Sequence, residues 1–279
     1  MIRLVEWLLE HTLGWFFEVV VGAMMKPIMK RFRDYGRELG RSNPQAMPEM
    51  MLNLYRTGDY QNALAMSNIS SSVRMDQDVF RADLLMQLGQ LEEAVRILTQ
   101  AVAQQENNKL AALANCTLGE AYLFQNRLDA ALDTFNTALK LWPERAAIHR
   151  NLAAVWLRRG NREETLRCAR LAAEMERASP SLTPETKATN LALALAVLAC
   201  AVAASSGDAA EVRRLTSEAA GYCGGIAVTS VAQAHVYCAI AYNTLGDSAQ
   251  SAHHLEVATR VDPRGAWGRE AQSMAAPVR

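Results

Sequence analysis

Features of β-sheet proteins are scarce in this sequence. Aromatic residues make up only 6% of its 279 positions, and strands rely on aromatic and β-branched side chains more than helices do. Alanine and leucine, which are strong helix formers, dominate instead. Half of the residues are apolar and 21% are charged, as in a folded globular protein. We therefore expect packed α-helices rather than a sandwich of sheets.

An excess of positive charge is also absent. Lys+Arg and Asp+Glu number 29 each, so the formal net charge is zero, whereas a protein that mainly neutralises nucleic-acid phosphates is basic. The basic run at 158–170 is interspersed with Glu163 and Glu164 and has few aromatic residues beside it for stacking. Such charges pair along a helix. The sequence predicts a solvated face there and no nucleic-acid partner.

Cysteine and histidine patterns of metal sites or disulfide frameworks are missing. The chain has five cysteines, an odd number, with no Cys-x-x-Cys pair. We expect reduced thiols, mostly buried, in a cytoplasmic environment. The adjacent His253 and His254 point about 100° apart on a helix, so no metal site is predicted. The cysteines are Cys116, Cys168, Cys200, Cys223 and Cys238.

Catalytic signatures are absent as well. The sequence contains no phosphate-binding G-x-x-x-x-G-K-[ST] loop, no G-x-S-x-G and no H-E-x-x-H. The pairs Glu92-Glu93 and Glu163-Glu164 follow predicted turns, where carboxylates favour the start of a helix. The chain is predicted not to be an enzyme and to use no cofactor.

What is present is an internal repeat. Residues 112–143 read ALANCTLGEAYLFQNRLDAALDTFNTALKLWP, and residues 232–263 repeat the pattern. A large residue followed by a small one, an aromatic residue, a turn residue and a final proline recur at fixed spacing. In the first copy these are Leu118, Gly119, Tyr122, Asn126 and Pro143. The two copies resemble the tetratricopeptide repeat, a helix–turn–helix unit of 34 residues.

Weaker copies extend the resemblance over roughly residues 44–263. It implies an all-α, right-handed superhelical solenoid, because one unit cannot bury its apolar face without neighbours. The apolar run 191–204 is expected to be a helix buried on all sides. The predicted turn residues are Gly58, Gly89, Asn126, Gly160, Gly207 and Gly246. The predicted segments are an N-terminal helix with a basic flank (1–41), about four repeats (42–177), a proline-containing loop (178–185), two repeats of which the first is degenerate (186–263), and a tail or cap (264–279).

The resemblance implies that a protein or peptide partner binds the concave face, which the first helices of the repeats line. A groove that is apolar in one part and basic in another would suit an acidic-apolar peptide; the alternative is a merely solvated inner wall. Cys116 and Glu120 stand where one subgroup of the family has the Lys and Asn that grip C-terminal carboxylates, which argues against that specificity. The predicted groove residues are Glu120, Leu123, Phe124, Arg150, Asn151 and Arg158.

The first 41 residues do not fit the repeat. At 100° per residue, Glu6, Glu10 and Glu18 share one side of a helix over residues 1–25, and apolar residues cover most of the rest. A basic flank follows. Such a helix suits an anionic membrane surface. The residues expected to contact a membrane or a partner are Trp7, Trp15, Phe16, Phe17, Lys26, Lys30, Arg31 and Arg33.

Four interpretations of residues 2–25 stay open at this point. The segment would lie on a membrane, span it, act as a signal peptide, or pack on protein as a cap or dimer contact. Glu10 and Glu18 would cost roughly 2–3 kcal/mol each in a span, and Glu18 interrupts a signal peptide. We predict a scaffold tethered to the cytoplasmic face of a membrane. The alternative is a soluble adaptor that associates with a second copy of itself or uses this helix to cap the array.

Overall fold

Helices and the turns between them make up the part of the chain that the computed structural model describes, residues 46–67, 75–104, 107–180 and 183–276. Thirteen helices and no strand lie in these ranges, so the all-α prediction is confirmed. The predicted N-terminal helix in residues 1–41 lies outside the described residues. The helices are α1 (Ala46–Arg56), α2 (Tyr60–Ser67), α3 (Met75–Gln87), α4 (Leu91–Ala103), α5 (Asn108–Phe124), α6 (Leu128–Leu141), α7 (Ala146–Arg158), α8 (Arg162–Ala178), α9 (Pro184–Ser205), α10 (Ala209–Gly221), α11 (Val228–Thr244), α12 (Ser248–Val261) and α13 (Ala266–Ala275).

The first twelve helices form six helical hairpins that stack into a solenoid. The six residues predicted to lie at the turns between paired helices all do so. Each has a positive φ, a conformation that favours glycine and tolerates asparagine. The values are 81° for Gly58, 79° for Gly89, 56° for Asn126, 72° for Gly160, 68° for Gly207 and 79° for Gly246.

Backbone hydrogen bonds explain why the turn requires this conformation. At the end of α5, Arg127 N donates to the carbonyl of Tyr122 at 2.8 Å, and Asn126 N donates to that of Leu123 at 3.0 Å. This is the Schellman arrangement, which closes a helix through one left-handed residue. Asn161 N repeats the longer-range bond at the end of α7, to Trp156 O at 3.0 Å. The same local chemistry therefore reverses the chain in successive repeats.

A small residue in the first helix lets its partner helix approach closely. In the hairpin of α5 and α6, a Cβ added to Gly119 would lie 2.6 Å from the ring of Phe135, and Phe135 is completely buried. The ring thus fills the space that a side chain at Gly119 would need. This is the role that the repeat pattern predicted for the small residue.

The apolar run at 191–204 lies in α9, the longest helix described, at 22 residues. The helix starts at Pro184 after a cap in which Thr183 accepts a hydrogen bond from Thr186 N at 3.1 Å. All residues from Leu191 to Ala203 are buried, as expected for this run. By length and composition, α9 is the one described helix that could cross a membrane, and 72% of its apolar stretch is buried within the protein. It is the central helix of the largest apolar core.

The two ends of the described array contact each other. Tyr60 Oη donates to Asp262 Oδ2 at 2.9 Å, across 202 positions of sequence. Gln87 Oε1 accepts hydrogen bonds from Thr229 Oγ1 at 3.1 Å and from Ala266 N at 3.0 Å, and Arg269 Nη1 donates to the Gln87 carbonyl at 2.8 Å. The curved array of hairpins therefore closes on itself. We call these hydrogen bonds of Tyr60 and Gln87 with Thr229, Asp262, Ala266 and Arg269 the closing contact.

Candidate functional site

Closure of the array leaves a partly enclosed space, the inner cavity, of about 380 Å³. Its walls come from the first helices α1, α3, α5, α7 and α11, and from α13. The six predicted groove residues, Glu120, Leu123, Phe124, Arg150, Asn151 and Arg158, all line it. The structure thus brings them together in one place, and their part in binding stays a prediction. The eight residues of the N-terminal segment predicted to touch a membrane or partner lie outside the described residues.

A network of polar side chains crosses from α5 to α7 in the inner cavity. Asn151 Nδ2 donates to Glu120 Oε1 at 2.6 Å and lies 3.3 Å from Cys116 Sγ. Its other amide atom, Oδ1, accepts from Arg150 Nε at 3.4 Å and Nη2 at 3.3 Å. Asn151 therefore stands between the carboxylate and the guanidinium. Arg158, one turn beyond Ala154 on the same helix, donates to the Leu123 carbonyl at 2.8 Å.

The inner cavity also holds acidic groups in apolar surroundings. Burial raises the pKa of Asp83, against the lowering effect of hydrogen bonds from Tyr55 and Gln87. Burial also raises the pKa of Glu120, and the charge of Arg150 opposes that rise. Both carboxyl groups lose hydration in the wall, which disfavours their charged forms. The cavity thus has an acidic side at Asp83 and Glu120 and a basic side along α7.

Aromatic rings form the apolar part of the wall. Trp267 of α13 is only 7% exposed, and its ring centroid lies 5.1 Å from that of Phe124 and 5.4 Å from that of Tyr237. Tyr55 and Phe80 form a second pair at 5.5 Å. These distances are typical of favourable aromatic contacts.

Several of these residues were not among the predicted groove residues. Asp83 stands six positions before the turn residue Gly89, as Glu120 stands six before Asn126. Tyr237 stands nine before Gly246, as Asn151 stands nine before Gly160. The repeat register could therefore have identified both.

Trp267 is different, because it follows the last repeat and has no counterpart in the register. The packing of α13 brings it to the inner cavity, where its ring contacts Phe124 and Tyr237. No spacing argument could have found it.

The cavity residues do not form a reactive centre of a familiar kind. Burial raises the pKa of the Cys116 thiol to about 12, so the nucleophilic thiolate is scarce at neutral pH. In the described ranges, no cluster of three or more His, Cys, Asp and Glu side chains could hold a metal ion. Away from the cavity, His235 Nδ1 and His254 Nδ1 share a hydrogen bond at 2.9 Å. What the inner cavity offers is charged, polar and aromatic binding surface.

Comparison with known proteins agrees with this architecture. Residues 78–144 match the family described as tetratricopeptide repeat. No match was found among curated proteins. A fold of this class is a scaffold for protein–protein interaction.

Solved structures with a similar fold include three at low sequence identity. YrrB, a tetratricopeptide repeat protein with an unusual peptide-binding site, is 18% identical over 72% of this chain and 92% of its own, with a TM-score of 0.39. BtubC (BKLC) from P. vanneervenii is 16% identical over 91% and 92%, with a TM-score of 0.47. PilF of Pseudomonas aeruginosa is 18% identical over 87% and 99%, with a TM-score of 0.45.

Proposed function

We propose that the chain is a non-enzymatic scaffold whose inner wall binds a peptide segment of a partner protein with acidic and apolar side chains. The supporting observation is that the six residues predicted from the repeat register line one cavity. Apolar side chains lie at one part of that wall, around Leu123 and Phe124, and arginines at another, along α7. A peptide that presents an acidic residue next to an apolar one would complement both parts.

A peptide panel tests this proposal directly. Immobilised dodecapeptides of matched length and apolar content would carry Asp and Glu, Asn and Gln, or Lys at alternate positions, and the full-length protein would be titrated over them. We expect the acidic-apolar set to bind best. Arg150→Ala and Leu123→Ala should each weaken that binding by about tenfold, the effect of losing one good contact in a protein interface.

A matched arginine serves as the control. Arg167 lies on the second helix α8, its side chain is 61% exposed, and it pairs with Glu164 at 2.7 Å. Arg167→Ala removes the same charge from outside the inner cavity and should leave peptide binding unchanged. Equal binding of the acidic, neutral and basic sets, or equal effects of Arg150→Ala and Arg167→Ala, would refute the proposal.

We further propose that residues 2–25 tether the scaffold to the cytoplasmic face of a membrane. The support is the amphipathic pattern of that segment with its aromatic residues and the basic flank that follows. Basic residues near an anionic surface contribute about 1 kcal/mol each. Reversing the flank with Lys26→Glu, Lys30→Glu, Arg31→Glu and Arg33→Glu should therefore release the protein from anionic vesicles.

Vesicle pelleting distinguishes the tether from its alternative. The full chain, the charge-reversed variant and a chain without residues 1–41 would be sedimented with vesicles of phosphatidylserine and phosphatidylcholine at low and high salt. A tether predicts that only the full chain pellets, and less so at high salt. If all three stay in the supernatant and the shortened chain changes its oligomeric state, the segment packs on protein instead.

A further inference from the structure

The closing contact limits what the inner cavity can hold. Two walls of the cavity are far apart in sequence, since Asp83 lies on α3 and Trp267 on α13. Gln87 joins these walls through hydrogen bonds from Thr229 Oγ1 and Ala266 N. The enclosed volume of about 380 Å³ falls in the range of about 300–1,000 Å³ that is usual for small-ligand sites. An extended partner could lie along the wall, but only a compact group fits inside.

Arg150 is the buried arginine among the residues that line this cavity. The residue is only 8% exposed, and its recorded hydrogen bonds are the two long ones to Asn151 Oδ1, at 3.4 and 3.3 Å. Within the ranges that the structure describes, its guanidinium forms no ion pair, whereas buried charges are normally paired. The planar guanidinium presents two parallel N–H donors that match a carboxylate.

The acidic side chains nearby already accept hydrogen bonds from other residues. Glu120 accepts from Asn151 at 2.6 Å, and Asp83 Oδ1 accepts from Gln87 at 3.2 Å. Asn151 keeps Glu120 apart from Arg150, because the amide donates to one and accepts from the other. Burial raises the pKa values of both acids.

Aromatic side chains in the cavity wall indicate which kind of apolar group a ligand would carry. Tyr237 lines the same cavity as Arg150 and Phe124. Its ring contacts Trp267, which in turn contacts Phe124. A flat apolar group attached to the carboxylate would meet these rings.

We propose that the inner cavity is a binding site for a carboxylate that carries an aromatic group, with the carboxylate held by Arg150 and the ring among Phe124, Tyr237 and Trp267. This inference rests on the proposed use of the inner wall for binding and names the group that fills its enclosed part. A free aromatic acid and the C-terminal aromatic residue of a peptide offer the same chemistry. Because α3, α11 and α13 all line the site, such a ligand would also stabilise the closing contact.

Calorimetric titration of the full chain tests the proposal with two acid–amide pairs. One pair is 3-phenylpropionate and 3-phenylpropionamide, and the other is N-acetyl-Ala-Phe with a free or an amidated C-terminus. We expect each acid to bind at least about tenfold more tightly than its amide, the effect of a hydrogen-bonded charge pair. Preference for the small acid indicates a free ligand, and preference for the peptide acid indicates a chain terminus.

Two variants locate the site. Arg150→Gln should abolish the difference between acid and amide, while the outer control Arg167→Gln should keep it. Gln233→Trp fills the cavity from α11 without removing a charge and should weaken both acids about tenfold or more; it serves if Arg150→Gln fails to fold. Equal affinity for acid and amide in the wild type overturns the inference. An acid preference that survives in Arg150→Gln, or acid binding by Gln233→Trp as tight as that of the wild type, overturns it as well. Binding of the longer acidic-apolar peptides in either case would leave the proposed function standing.

Discussion

Gln87 is the residue whose loss should most selectively weaken the closing contact. Its side chain is 4% exposed. It accepts hydrogen bonds from Thr229 Oγ1 at 3.1 Å and Ala266 N at 3.0 Å, and donates to Asp83 Oδ1 at 3.2 Å. Gln87→Ala leaves Thr229 Oγ1 and Ala266 N without this acceptor, whereas Asp83 keeps the hydrogen bond from Tyr55. Each buried polar group left without a partner costs about 1–3 kcal/mol, so we expect a loss of about 2 kcal/mol or more.

The loss of free energy should destabilise the closing contact rather than the individual hairpins. The two partners of Gln87 Oε1 lie 142 and 179 positions away, whereas the hairpin turns are held by local bonds. Hydrogen exchange should therefore accelerate at the end of α3 and the start of α13, and X-ray scattering should show a larger radius of gyration. Urea unfolding measures the accompanying change in free energy.

Gln100→Ala is the matched control, because Gln100 lies exposed on α4 and its recorded contact is a 3.3 Å bond from Arg96. It should change stability by no more than about 0.5 kcal/mol. If Gln87→Ala behaves like this control in both unfolding and exchange, the hydrogen bonds of Gln87 do not hold the array closed.

Three further predictions concern the repeats. Gly119→Ala should destabilise by about 1–3 kcal/mol in urea unfolding, because the new Cβ would lie 2.6 Å from the Phe135 ring; no change would mean that the helices can separate freely. Gly160 and Gly221 both have open space around an added Cβ, but only Gly160 has a positive φ, of 72°. Gly160→Ala should therefore destabilise by about 1–2 kcal/mol, whereas Gly221→Ala, in helix α10, should stabilise by about 0.5–1 kcal/mol; effects of the same sign would contradict this. Burial, aided by two neighbouring histidines, lowers the pKa of His254 to about 4 from 6.5. The unfolded chain takes up this proton first, so stability should fall as pH drops from about 6.5 towards 4, and His254→Gln should flatten that dependence of the urea midpoint.

The repeated residue pattern, through its resemblance to the tetratricopeptide repeat, predicted the hairpins and the reversals between them. The physical reason is that both are local. At the turn, Asn126 N donates to the carbonyl three positions earlier and Arg127 N to the one five positions earlier. The small Gly119 leaves room for the ring of Phe135, sixteen positions later. The same register placed Glu120, Arg150 and Asn151 on one wall. Extended to the other units, it would have added Asp83 and Tyr237.

Closure of the array lay beyond such reasoning. Whether the last helix meets the first depends on small rotations that add up over successive repeats, and these follow from side-chain packing between helices rather than from spacing along the chain. No sequence pattern predicts the contacts that Gln87, Asp262 and Trp267 form across the array. The enclosed cavity, the buried guanidinium of Arg150 and the aromatic wall around Trp267 exist because those distant segments pack together.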